Sequence, residues 1–151
     1  MATFIRATPA PTVSGGYQAF RPAVRADFNS TCAYCLLAEL FAGGIENFEL
    51  DHFFPVSKFP LKAFDFYNLY YSCHPCNNIK RAKWPDEELL KQGIGFVDLC
   101  RDDFASHFIE KPDGSWEGRT PSARYTIEAL RLNRSHLLQI RMLLRELAQS
   151  A

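Results

Sequence analysis

Two Cys-x-x-Cys pairs constrain this chain more than any other feature: Cys32-Ala33-Tyr34-Cys35 and Cys73-His74-Pro75-Cys76, with 37 residues between them. Each pair offers two thiolates from one turn, and four thiolates fill the tetrahedral sphere of Zn²⁺. A redox dithiol or unrelated buried thiols are the competing readings; two matching pairs favour a single zinc ion. A filled sphere leaves no position for a substrate water, so this zinc is expected to be structural. Zinc binding by such a site, worth about 10–16 kcal/mol, equals or exceeds the whole stability of an ordinary domain. His74 lies inside the second pair but is expected at the surface or beside the ligands. The odd thiol, Cys100, reads as a small apolar side chain.

Cysteine pairs used for metal suit a reducing compartment. No apolar run approaches the roughly 18–20 residues that cross a bilayer. Met1 to Gly16 has one Arg and no apolar h-region, so it does not read as a secretory signal. A cytoplasmic protein is the expectation. At 151 residues one domain is expected, preceded by a flexible tail over 1–16 that is rich in Pro, Gly and small polar residues. The net charge of zero argues against strong indiscriminate binding to polyanions. It hides an uneven layout: +3 over 69–84, −6 over 85–117 and +4 over 119–151, which permits a local basic face.

Local patterns predict an α+β chain. Arg21 to Phe28 suits a short helix with Pro22 in its first turn. Leu36 to Phe41 is apolar and ambiguous between helix and strand. Phe48 to Phe53 alternates as a strand would, and Leu69 to Ser72 is a second short strand after a loop that holds Pro55 and Pro60. A helix from Pro75 to Lys83 follows, stopped by Pro85, and another covers Asp86 to Gln92. Pro112-Asp113-Gly114-Ser115 predicts a hairpin between 104–110 and 116–119. Thr120-Pro121 opens a helix to about Arg131. A last helix, capped by Asn133 or Ser135, repeats Leu137, Ile140, Leu144 and Leu147 at helical steps.

The stretch between the cysteine pairs carries further chemistry. Asp51-His52 is followed after fifteen residues by Asn68 and after eight more by Asn77, with Cys73-x-x-Cys76-Asn77-x-x-Lys80 closing the set. Residues 32–80 in this arrangement resemble the HNH endonuclease family, whose ββα-metal core is often braced by zinc between two Cys-x-x-Cys pairs. Arg21-Pro22, Arg25, Phe28 and Leu132-Asn133-Arg134 also look like flanks of some prokaryotic members. The third motif position departs from the literal pattern, with Asn77 in place of His, a variant that the family includes.

The resemblance implies His52 as general base, Asp51 and Asn77 as ligands of a catalytic metal, and Asn68 as the residue that holds the catalytic loop and orients His52. These roles match the chemistry of phosphodiester hydrolysis, where a water loses a proton and a cation offsets growing negative charge. His titrates near neutrality, and adjacent strand residues face opposite sides, so Asp51 and His52 can do separate jobs. Two oxygen donors suit Mg²⁺ or Mn²⁺, with weak support from Ni²⁺. Lys80, three residues after Asn77, is expected near the metal face as a phosphate contact. Arg81 and Lys83 are expected at the surface, and His107 and His136, with no acid or ligand pattern around them, are expected to be ordinary.

The expected function is therefore a metal-dependent nuclease that nicks or cleaves DNA, with RNA as a possible substrate, in a setting such as bacterial anti-phage defence. Two other readings stay open. One is a zinc-stapled nucleic-acid-binding module without catalysis. The other is a nuclease subunit under the control of a regulatory partner, or a homodimer, docking through the apolar face of the last helix.

Overall fold

The computed structural model describes residues 1–150. Arg21–Asp27 forms α1, with Pro22 in its first turn where a missing N–H costs nothing. Phe48–His52 (β1) pairs antiparallel with Leu69–Cys73 (β2), Asp51 opposite Tyr70 and His52 opposite Leu69. His74–Lys80 (α2) follows β2 directly and packs on both strands. It ends at Lys80 and not at the predicted Lys83, because Arg81 turns into positive φ.

Glu87–Lys91 (α3) starts on the Asp86 side chain, which accepts from the Leu89 N–H at 2.9 Å. Phe104–His107 is a short helix (α4) where a strand was expected. It leads into Phe108–Glu110 (β3), which pairs antiparallel with Trp116–Gly118 (β4). Pro121–Ala129 (α5) is capped by Thr120, as its sequence predicts. Ser135–Ser150 (α6) completes the described chain. Asn133 does not cap it; its side-chain amide exchanges two hydrogen bonds with the Trp116 backbone and pins the hairpin. The fold is thus α+β, with two two-stranded antiparallel sheets. No described helix is long and apolar enough to cross a membrane.

One buried cluster joins these elements. Phe48 stacks on Tyr71, and Phe53 stacks on Tyr70, which also packs against Phe28 and Tyr34. Arg21 donates to the carbonyls of Ile45 and Phe48, holding the start of β1. Arg25 makes a two-pronged ion pair with buried Glu39, which Tyr71 also caps.

The N-terminal segment corrects the expectation of a flexible tail. Phe4 is buried, and its N–H bonds the Leu99 carbonyl at 2.9 Å. Arg6 pairs with Asp27 at 2.9 Å and lies within 4.7–5.7 Å of the ring centroids of Phe28, Phe66, Tyr67 and Tyr70. A guanidinium seated among aromatic faces is held by both charge and packing, so the segment docks.

Candidate metal centre and catalytic cleft

The four cysteines of the two pairs converge. Their sulfurs lie within 4.8 Å of one another and all four residues are buried, with no disulfide among them. The first pair sits in a loop closed by the Thr31–Ala38 bridge, and Leu36, just after it, takes positive φ to complete the turn. The second pair straddles the β2–α2 junction, Cys73 ending the strand and Cys76 lying in the first turn of the helix.

The donor set fits zinc. Thiolates about 2.3 Å from a tetrahedral ion stand about 3.8 Å from each other, and Cys35 Sγ to Cys73 Sγ is 3.8 Å. Without a cation the cluster is electrostatically uneven. Burial opposes ionisation of Cys32, yet bonds from Cys35, Cys73 and Cys76 overcome it and hold that thiol well below its usual range. Cys35 is pushed up, chiefly by Cys32.

Two arginines supply the outer charge. Four thiolates around Zn²⁺ leave two negative charges. Arg134 Nη2 donates to Cys76 Sγ at 3.4 Å. Arg141 of α6 is 4% exposed, and its Nε and Nη2 have no hydrogen-bond partner. Burial pushes Arg141 down to about 10, while Cys35 opposes that shift. A buried guanidinium of this kind needs an anion, and Cys35 of the sulfur cluster and Glu110 line the same cavity as Arg141. Arg141 also lies 4.0 Å over the Trp116 ring.

At the far end of β1 an open cleft of about 300 Å³ is lined by Asp51, His52, Ser57, Asn77 and Arg81, among others. His52 is half-buried with its ring edge-on to Tyr17, 4.7 Å between centroids. Its Nε2 lies 2.9 Å from the Ala63 carbonyl. A carbonyl only accepts, so in the neutral ring Nε2 carries the proton and Nδ1 the lone pair. Asn68, 3% exposed, ties the intervening loop: Oδ1 accepts from the Phe54 N–H, and Nδ2 donates to the carbonyls of Phe54 and Lys62. It bonds the loop that carries Ala63 and makes no bond to His52 itself.

Asp51 points to the opposite face of β1, as alternation requires. Its Oδ2 accepts from Tyr34 Oη at 2.5 Å and lies 3.0 Å from Lys80 Nζ; among the described residues no donor reaches Oδ1. Burial holds the Asp51 carboxyl above its usual range, with Lys80 pulling the other way. Tyr34 lies between the two cysteines of the first pair, so one hydroxyl links the cysteine cluster to Asp51. Asn77 Nδ2 donates to Glu49 Oε2 at 2.5 Å, which leaves its Oδ1 unengaged. Glu49 also meets His74 Nδ1, and His74 is exposed, as expected.

Lys80 overturns its assignment as a phosphate contact. It is fully buried, and Nζ donates to the carbonyls of His52 and Phe53 at 3.0 and 3.1 Å besides pairing with Asp51. The ammonium that was to meet phosphate instead holds the end of β1. Of the residues expected to be ordinary, His107 bonds Thr120 and pairs with Asp102, Lys83 donates to the Ala129 carbonyl at 2.9 Å, and Arg81 borders the cleft. Tyr34, Glu49 and Arg81 are the site residues that sequence reasoning passed over. Glu49 alone had a local signal, lying two residues before Asp51 on the same strand face.

The sequence matches no protein-family model and no curated protein.

Proposed function

We propose that the chain is a metal-dependent nuclease of the HNH type, with β1, β2 and α2 as its ββα-metal core and DNA as its principal substrate. The observation that carries this reading is one cleft lined by His52, Asp51 and Asn77, with the His52 proton fixed on Nε2. A water entering beside Nδ1 gives up its proton there and attacks phosphorus; the 3′-oxygen leaves and takes a proton from solvent. Ala63 holds the tautomer and stabilises the charge that His52 gains. Asn68 keeps the loop bearing Ala63 in register with the strand.

Asp51 Oδ1 and Asn77 Oδ1 would hold a hard divalent ion, which when bound offsets charge on the phosphate and on the leaving oxygen. The donors are oxygen only, which supports Mg²⁺ or Mn²⁺ over Ni²⁺. One base serves one strand, so nicking is the elementary event, and double-strand cutting requires two copies or two events. Of the α6 face expected to dock a partner, Leu137 is buried and Ile140 and Leu144 pack on the core, leaving Leu147 exposed beside Leu143; a regulatory partner, in a setting such as anti-phage defence in the cytoplasm, would have to use those two side chains.

The competing reading, a zinc-stapled binding module without catalysis, draws on the Lys80–Asp51 pair, which already neutralises the carboxylate. Supercoiled plasmid separates the two. The nuclease reading expects nicking with Mg²⁺ or Mn²⁺ that His52→Ala abolishes with zinc content and fold intact. Binding without nicking under any of these ions would establish the module instead.

A further inference from the structure

We propose that Arg81 grips the non-bridging oxygens of the phosphodiester presented to His52. This rests on the nuclease reading above and assigns the substrate contact that Lys80 cannot make.

Arg81 is the single cationic residue among those lining the cleft, where it stands with His52, Asp51, Asn77 and Ser57. Its backbone sits at φ 46° and ψ −125°, in the region that favours glycine. Among the non-glycine residues with positive φ, Arg81 alone borders this cleft. A side chain held there costs roughly 1–3 kcal/mol, and such strain collects at functional positions.

The fold gains little from the arginine. Its N–H bonds the Asn77 carbonyl at 2.8 Å, a cap that glycine would keep. The guanidinium makes no ion pair among the described residues. Its Nε and Nη2 donate to the carbonyl and side chain of Asn78 at 3.0 and 3.1 Å, three residues back and exposed. Those two bonds steady the planar group and leave further N–H donors for two oxygens of one phosphate.

Helix α2 ends between two neighbouring bases, and their side chains part company there. Lys80 completes the helix and enters the core; Arg81, in its reversed backbone, is exposed and borders the cleft. The chemistry recognised is a phosphodiester anion, read through its charge and not through the bases.

The test compares Arg81→Gly and Arg81→Lys with the parent chain. Arg81→Gly should melt at the same temperature as the parent or higher, since glycine relieves the strain. Its kcat/KM for nicking supercoiled plasmid should fall roughly 10- to 100-fold, with Arg81→Lys between the two. In a His52→Ala background, binding to a fluorescein-labelled 30-base-pair duplex should lose about one unit of slope in log K against log salt. Parental nicking and an unchanged slope in Arg81→Gly overturn the proposal while leaving the nuclease reading intact. A Tm several degrees lower makes Arg81 structural and overturns it too. If the parent never nicks, the nuclease reading fails, and the duplex arm decides: a lost slope unit upholds the phosphate contact, while an equal slope or no binding overturns it.

Discussion

Replacing Lys80 by Met tests the interior of the site most directly. Methionine fills nearly the same space, so the lost term is charge. The lysine and its partner Asp51 are 0% and 5% exposed at their side chains, and 3.0 Å separates Nζ from Oδ2. The substitution leaves that carboxylate with Tyr34 alone and strips a donor from the carbonyls of His52 and Phe53. Breaking a buried pair by removing one partner costs about 3–5 kcal/mol. For a chain of this length that is roughly 6–20 °C in Tm, against a total stability of about 5–15 kcal/mol.

The sign of the pH dependence follows from Asp51. Burial already holds its carboxyl above the ordinary range with Lys80 opposing, and without Lys80 it rises further. A carboxyl whose folded pKa is raised loses stability as pH rises through that value. The deficit of Lys80→Met is therefore widest at neutral pH and narrows on acidification. Calorimetry in zinc-containing buffer at neutral and mildly acidic pH reads it. Asp51→Asn added to Lys80→Met should recover much of the loss, a coupling that additive mutants would not show. A Tm loss under about 3 °C, a deficit indifferent to pH, or a well-folded variant with weaker salt dependence of DNA binding would refute the buried-pair account.

Three further outcomes are expected. Metal analysis should find one zinc per chain, and Cys35→Ser or chelation should collapse the two knuckles and loosen α6, read as faster hydrogen exchange around Arg141. Tyr34→Phe should keep its zinc yet lose about 1.5–3 kcal/mol, the worth of a buried hydrogen bond to a charged group; unchanged stability would remove the link from knuckle to cleft. Glu39 is held below the usual carboxylate range, first by Arg25 and then by Tyr71. Stability from a depressed carboxyl is present above its unfolded pKa and lost as pH falls through the folded one. Glu39→Gln should thus be weaker than the parent at neutral pH and converge with it in acid, as paired urea titrations would detect.

Much of this architecture is legible locally. The cysteine pairs can be paired on paper because a metal imposes its own stoichiometry and spacing. Phe48 to His52 alternates, Asp86 and Thr120 cap helices, and Asp113-Gly114 turns a hairpin, each through forces acting within a few residues. His52, Asp51 and Asn77 are singled out by the resemblance of their spacing to the HNH pattern, and the fold lines one cleft with them.

Tertiary structure decided what each neighbour does. Whether Lys80 or Arg81 faces solvent depends on which side of α2 packs on the strands, since one residue turns a side chain about 100° around a helix; Lys80 falls on the packed side and is buried. Tyr34 reaches Asp51 only because the fold brings the loop of the first cysteine pair against β1. Arg6 finds four aromatic rings from distant parts of the chain, and so a segment that reads as a tail becomes part of the core. Short-range pattern determined the elements and the donor set by itself. Burial and charge pairing across long sequence separations, which no local window contains, determined which of those groups meet the cleft.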